Sequence, residues 1–387
     1  MKVAFDGRSL ASPVLRGWDR YTVGLVKELV RQGTKVTLFH RANEPLHGAH
    51  VADLGCQVKG LQDRGGLYWE QVAVPWALWR GRYDLFHAPA EHGVPLAAPC
   101  PVVLTIHSVT WHSYRHLVRR GLLPGRVRDY LGCEARPERR TPAGAYLIAQ
   151  VARANHILTP SDFCRQEVLH LLRVPAPRVT VTHLAVHEQF HRPPRSPTER
   201  AATLARLGVR RSYLLYVGGY EPHKNVRGLL EAFATVHRAH PDLALVLVGS
   251  KVVPQELKVQ AETWRLRSGR EVHFLLNLTD ELNDLYDGAE LFISLSWRET
   301  FCLPALEAMT RGLPVVASAW GATPEVVGDA GRLVDPRDVE AAARAVLTLL
   351  DLPGRAELTR RAQEKSRRFS WAEAAETTRR LYNRLAG

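Results

Sequence analysis

Two glutamates, Glu299 and Glu307, stand with seven residues between them in the run SLSWRETFCLPALEAMTRGLPVVASAWGATPEVVGDAGRLVD, Ser294 to Asp335. The text reads as an apolar strand ending near Ser294, a polar loop, a short helix, a second apolar strand, and a turn into another helix. Pro304 suits the first helical position, where its missing N–H would go unpaired in any case. The amides of Phe301, Cys302 and Leu303 then precede the first intrahelical bond and point beyond the strand end. Backed by the helix dipole, they make a site for an anion, best of all a phosphate. Glu299 on the loop and Glu307 one turn into the helix flank that site as acceptors for hydroxyl groups. Phosphate between hydroxyl-binding carboxylates is the chemistry of a sugar joined to a nucleotide. Two glutamates at this spacing occur by chance in most long helical chains, so the pair counts only with its surroundings.

The elements that would position these groups read as strand–helix–strand units of parallel sheets. Residues 2–6 form a short apolar strand, 7–17 a loop, Trp18 to Gln32 a helix and 35–39 the next strand. Gly17 closes that loop, as a plain turn glycine or as a point of ligand approach. Residues 67–80 predict an aromatic helix of core or interdomain packing. The continuous apolar run 101–111 is the clearest strand of this half and reaches His107. Ligands of doubly covered parallel sheets bind at the carboxyl ends of strands. By position alone His107 suits either a strand-end cap or a sugar contact.

The Pro-rich, charged and aperiodic stretch 191–200 predicts a linker. Beyond it YLLYVGGYEPHKN opens a second set of strands, with Gly218 and Gly219 letting backbone approach a ligand. Lys224 precedes a helix beginning near Asn225. A cation there opposes the helix dipole, which favours a phosphate-binding lysine over a merely superficial one.

These strings together resemble the retaining glycosyltransferases of the GT-B fold (family 4). The likeness rests on the Glu299/Glu307 spacing, on PALEAM, GLPVVAS, PEVVGDAG and VDP, on YVGGYEPHKN, on TIH ending at His107, and on NLTDELNDLYDGAELFISLS. It is strong over 213–385 and patchy over 40–100 and 112–142. It implies an α/β chain of two Rossmann-like, doubly wound domains facing a cleft. Residues 1–190 would be the acceptor-side domain, 191–200 the linker and 201–368 the nucleotide-sugar domain. Residues 369–387 would form a helix crossing back to the first domain, with Trp371 its anchor.

Carried over by position, the resemblance makes His107 and Glu299 the catalytic pair. It assigns donor binding to Gly17, Gly218, Gly219, Lys224, Asn277, Leu278, Thr279, Phe301, Cys302, Leu303 and Glu307. Asn277 to Thr279 would border the base, Glu307 the ribose, and 112–142 the acceptor. The chain departs from the family at Cys302 and Ser108, where Gly and Asp are usual. It departs again at Gly219, where members often carry Arg; His223, Arg227 or Arg298 could supply the second phosphate cation. No metal and no cofactor are expected, since no DxD-type cluster is placed to hold an ion. The expected reaction moves a mannose- or glucose-type hexose from a nucleotide sugar to a glycan, lipid-linked or small-molecule acceptor, in cell-envelope or polysaccharide synthesis. The rivals are a catalytically weak glycan-binding member and a sugar-nucleotide epimerase on the same fold. A phosphorylase would need a pyridoxal-phosphate lysine in a much longer chain.

Composition agrees with this class. A chain of 387 residues with 45% hydrophobic and 24% charged content suits two globular domains. MKVAFDGRSL lacks the apolar core of a signal peptide, and no apolar run is long enough to span a bilayer. Five scattered cysteines fit a reducing compartment and no zinc site, so a cytoplasmic protein is expected. The formal charge of +13 divides as +9 over residues 1–190 and +4 over 191–387. Eight arginines against three acids lie between Arg115 and Arg140. That balance suits a solvated surface, an anionic membrane face or a phosphate-bearing acceptor. Nucleic acid is not expected, because no basic motif interleaved with aromatic residues appears.

Overall fold

The structure, a computed structural model, describes residues 1–12, 17–109, 115, 117–123, 142–249, 252–352 and 355–387. The expected acceptor region 112–142 and the basic cluster within it therefore lie largely outside the described residues, as does Cys133. The chain divides into two units. The first holds Met1–His116, Gly125–Ala185 and Phe369–Gly387; the second holds Leu117–Pro124 and Val186–Arg368.

The first unit is built on seven parallel strands: β1 (Lys2–Asp6), β2 (Lys35–Arg41), β3 (Gln57–Leu61), β4 (Leu85–Ala88), β5 (Val102–Thr105), β6 (His156–Thr159) and β7 (Val179–Val181), in the order β3-β2-β1-β4-β5-β6-β7. Strands β4, β5 and β6 are buried at every residue, which is why they read as unbroken apolar runs. Edge strand β3 is polar and mostly exposed and gave no such signal. The aromatic helix is not regular throughout. Residues Trp69–Ala73 are π-helical between α-helical turns, and the extra residue per turn shifts the phase of the turns after it. Trp69 is fully buried, whereas Trp76 and Trp79 are 53% and 69% exposed.

The closing helix Trp371–Ala386 belongs to this unit. Trp371 lies against Gly24 of the helix Gly17–Arg31, where a Cβ would come 2.3 Å from the indole. Further along, the Tyr382 hydroxyl bonds His87 Nδ1, and His87 Nε2 bonds Thr105 Oγ1 at 2.7 Å. Burial, followed by the neighbouring His107, pulls the His87 pKa down from 6.5 to about 3. An unfolded His87 takes up a proton near pH 6.5 that the fold refuses until about pH 3, so the fold loses stability as pH falls through that window. We expect Tm to decline over this range, and His87→Gln to remove part of the decline. An unchanged pH slope in the variant would refute the assignment.

The second unit carries six parallel strands: β8 (Tyr213–Val217), β9 (Ala244–Gly249), β10 (Val272–Leu276), β11 (Leu291–Ser294), β12 (Val315–Ser318) and β13 (Arg332–Val334), ordered β10-β9-β8-β11-β12-β13. The chain runs outward from β8 to β10 and returns on the other side at β11, so the strand order reverses between β8 and β11. The helix Val226–Ala239 buries Leu229, Leu230 and Phe233 against this sheet.

The expected linker 191–200 is only partly irregular. Pro197–Arg206 is helical, opened by a capping box in which Ser196 and Glu199 each bond the other's amide. The unit also begins earlier than residue 201. Phe190 is buried against Tyr286, and the Arg311 side chain, 5% exposed and paired with Asp287 at 2.5 Å, donates to the carbonyls of Phe190 and Arg192.

Candidate active site

In an open parallel sheet the crevice for a ligand lies where the strand order reverses, at the carboxyl ends of the strands. In the second unit that point is framed by the exits of β8 and β11, and the predicted residues gather there. Beyond Val217 come Gly218 and Gly219, whose added Cβ atoms would sit 2.6 Å from Tyr216 Oη and 1.8 Å from Glu221 Oε2. Pro222–Lys224 then form one tight turn, and Asn225 takes a left-handed conformation at φ 50° to cap the following helix. The Asn225 amide also donates to the carbonyls of Leu295 and Pro336, and the Trp297 amide donates to the His223 carbonyl. These bonds tie the turn after β8 to the loop after β11. Asn225 is thus a positioning residue; only its place beside Lys224 hinted at it.

Lys224 and Glu299 meet across this point. Lys224 Nζ donates to both carboxylate oxygens, at 2.9 and 3.0 Å, and Ser296 Oγ donates to Oε1 at 2.7 Å. Burial pushes the Glu299 pKa upward, but Lys224 and His223 outweigh it and the net shift is down. Burial likewise works against the Lys224 cation, and Glu299 more than restores it. Both groups are therefore ionised at neutral pH. Burial, then the charge of Lys224, holds the His223 pKa down at about 4, so the ring is neutral at neutral pH. Arg227 is exposed on the first turn of its helix.

The helix Leu303–Thr310 starts immediately beyond, with Pro304 at its second rather than its first position. Its cap, Cys302, is left-handed at φ 70°, ψ 56°. Glycine meets that conformation without strain, whereas a side chain costs about 1–2 kcal/mol, which is the physical meaning of the family's usual residue here. Phe301 and Cys302 are buried. Burial, then Glu299, lifts the thiol to about 12, so it stays protonated. Cys302→Gly should bind nucleotide more tightly with little net change in Tm, because relief of strain offsets the lost packing. Weaker binding by calorimetry would count against an anion site at this helix start.

Glu307 is only 2% exposed, and its Oε2 accepts from Tyr286 Oη at 2.8 Å. Asn277 to Thr279 follow β10, with Asn277 left-handed at φ 55° and its amide bonded to Gly249. They border the ends of the same sheet at β10, two strands away from the exit of β8 that carries Lys224.

Two predicted residues lie in the first unit. Gly17 opens its helix with open space where a Cβ would be, while residues 13–16 of its loop lie outside the described residues. His107 lies two residues past β5, against the edge of Tyr21. Its Nε2 bonds the Pro89 carbonyl at 2.8 Å, and its amide and that of Ser108 donate to Glu91 Oε1. Desolvation depresses its pKa, with Glu91 acting the other way. A neutral ring donating from Nε2 presents Nδ1 as an acceptor, so a hydroxyl would donate to His107 rather than receive from it.

At the reversal point of this first sheet, between β1 and β4, Arg8 pairs with Asp6 at 2.7 Å and Glu70 at 3.0 Å, and Tyr146 donates to Glu70 at 2.6 Å. Nothing in the sequence singled out this network. Among the described residues no group of three or more His, Cys, Asp and Glu is arranged to hold a metal ion.

Known proteins resemble the chain in both halves. The family model for glycosyltransferase family 4 matches residues 15–190, and that for glycosyl transferases group 1 matches 205–369. O-antigen chain mannosyltransferase B of Escherichia coli is 37% identical over 236 residues, covering 60% of this chain and 61% of that protein. The serotype-specific mannosyltransferase WbdA of the same species is 28% identical, and the matched stretch spans 30% of its length. D-inositol 3-phosphate glycosyltransferase of Corynebacterium glutamicum (strain R) is 29% identical over 95% of this chain and 91% of its own. Among solved structures, Anabaena HepE in complex with UDP and glucose superposes with a TM-score of 0.74 at 20% identity, covering all of both chains. With two doubly wound parallel sheets and these consecutive matches, the chain belongs to the GT-B glycosyltransferases.

Proposed function

We propose that the chain is a retaining, metal-independent hexosyltransferase. It would move a mannose- or glucose-type sugar from a nucleoside diphosphate to a glycan or lipid-linked acceptor in envelope or polysaccharide synthesis. The observation that carries this reading is the Lys224–Glu299 pair at the strand reversal of the second sheet, beside a helix start. In the proposed reaction the acceptor oxygen bonds the anomeric carbon as the bond from that carbon to the diphosphate breaks. The acceptor proton passes to the departing phosphate on the same face, which retains configuration and needs no protein nucleophile. The largest charge then develops on the diphosphate, where Lys224 and the amides near Cys302 and Leu303 are suited to stabilise it. Glu299 would orient the sugar through its hydroxyls, Glu307 would hold the ribose, and His107 would accept from a sugar hydroxyl. The mannosyltransferase relatives support the hexose class, and the UDP bound to HepE supports a nucleotide partner.

A thermal-shift screen against UDP-, GDP-, ADP- and dTDP-sugars, with nucleotide release followed in the same wells, tests it. A ligand that binds only the native state raises Tm by mass action. One donor giving a clear shift with slow release is the expected result. No shift with any of them would leave the reading without a donor site.

A further inference from the structure

Two tryptophans stand beside the Lys224–Glu299 pair. Trp297 lies two residues before Glu299 in the loop after β11, and Trp320 lies two residues past β12. Their ring centroids are 5.8 Å apart, the planes tilted at 54°, and both residues are partly open to solvent. Backbone contacts already fix the two loops. The Trp297 amide donates to the His223 carbonyl, the Trp320 amide to Ser318 Oγ at 3.1 Å, and the Ala322 amide to the Glu299 carbonyl at 2.9 Å. Gly321 is left-handed at φ 70°, and a Cβ there would come 2.7 Å from the Glu299 amide nitrogen and carbonyl oxygen. The loop after β12 therefore rests directly on the Glu299 backbone. Neither indole is needed to anchor it, and a partly open tryptophan forgoes contact that a core would give it. Charged groups complete the cluster. Arg337 lies 5.1 Å and Arg120 5.9 Å from the Trp320 ring centroid, and Asp335 holds Arg337 at 2.5 Å. Arg120 comes from Leu117–Pro124, the stretch outside 186–368 that belongs to this unit.

We propose that Trp297 and Trp320 form the platform for a neutral pyranose ring of the acceptor, which makes the acceptor a glycan; the word acceptor rests on the transferase reading. A pyranose presents C–H bonds on its faces and hydroxyls around its rim. The electron-rich face of an indole suits the first, and guanidinium groups, which can only donate, suit the second. Asp335 balances the charge of Arg337, which favours a neutral sugar over an anion. The order along the sheet agrees. Lys224 follows β8, Glu299 follows β11 and Trp320 follows β12, consecutive strands about 4.8 Å apart. Asn277 to Thr279 follow β10, on the other side of β8. A donor sugar oriented by Glu299 thus has the indoles beside it, on the side away from that loop, where an attacking hydroxyl can be presented.

The test is saturation-transfer NMR on the full chain with methyl α-mannoside, methyl α-glucoside and the corresponding α-linked disaccharides, in the presence of UDP or GDP. Irradiating the aromatic protons should light up the C–H protons of one sugar face. Trp320→Leu, which keeps apolar bulk and removes the ring, should weaken sugar binding about tenfold or more with nucleotide affinity unchanged. Trp320→Phe should restore most of that loss, which a merely misfolded site would not do. Trp297→Leu, in the neighbouring loop, decides the matter if the Trp320 variants fold poorly. No transfer to any of these sugars, or sugar affinity unchanged in both leucine variants, overturns the proposal. So does transfer to uridine or guanosine that the leucine variants lose, for the indoles would then stack on the base. Nucleotide affinity is measured alongside. Its absence in the parent chain counts against the transferase reading, whereas nucleotide binding without a sugar response counts against the platform alone.

Discussion

Glu299→Gln should bind nucleoside diphosphate more tightly than the parent chain while transferring sugar at least about a hundredfold more slowly. The two effects part company because of what Glu299 does before a donor arrives. It holds Lys224 through both carboxylate oxygens. A diphosphate that takes this lysine as its cation must first displace the carboxylate, and that displacement opposes binding. Glutamine keeps the shape and the bond from Ser296 but gives up the charge, so the competition weakens. A gain of about tenfold in affinity, equivalent to ~1.4 kcal/mol, is of the expected order. Turnover falls because the group that orients the sugar has lost its acceptor strength. Calorimetry with the nucleoside diphosphate, set beside a rate assay, separates the two. If affinity and rate fell together, Glu299 would be an ordinary binding residue and the exchange of partners would be wrong.

Lys224→Ala should remove donor binding and also cost stability. The Lys224 and Glu299 side chains are 21% and 14% exposed, so loss of the cation leaves a largely buried carboxylate with the Ser296 hydroxyl still donating to it. Partial access to water trims the penalty to about 2 kcal/mol. The sign with pH is diagnostic. Without Lys224, burial raises the Glu299 pKa above its unfolded value, so the deficit shrinks in acid and grows as pH rises toward the new pKa. Adding Glu299→Gln to Lys224→Ala should restore most of the lost Tm and none of the nucleotide binding. A double variant that recovers binding would show that the lysine is not the phosphate cation.

The strands around this site were legible because both of their faces are covered. ALVLVG, LFIS and VVAS read as apolar strands and are buried at every residue. Edge strand β3, where Gln57 is exposed and Lys59 half-buried, carried no comparable signal. The linker reading failed at Ser196, where proline and charge hid a capping box that the spacing to Glu199 does display. Residues 67–80 read as one helix of core or interdomain packing, and such a reading assumes one constant phase, which five π-helical residues break. The types and places of Lys224, Glu299 and Glu307 were readable. Their partnership was not, since a pair 75 residues apart exists only after β8 and β11 have become neighbours. The need for a left-handed residue at Cys302 was likewise invisible from cysteine itself.

The return of the closing helix to the first unit bears on how the chain is made. Translation delivers β1 to β7 early, yet Trp371 and Tyr382, which cover Gly24 and His87, are made only after the second unit. Residues 186–368 have every element of their own sheet before the closing helix is made, whereas the earlier-made unit must wait for it with part of its apolar surface open. Stalling or truncation near residue 370 would then harm the half synthesised first, and a chaperone acting on the nascent chain would find its binding site there.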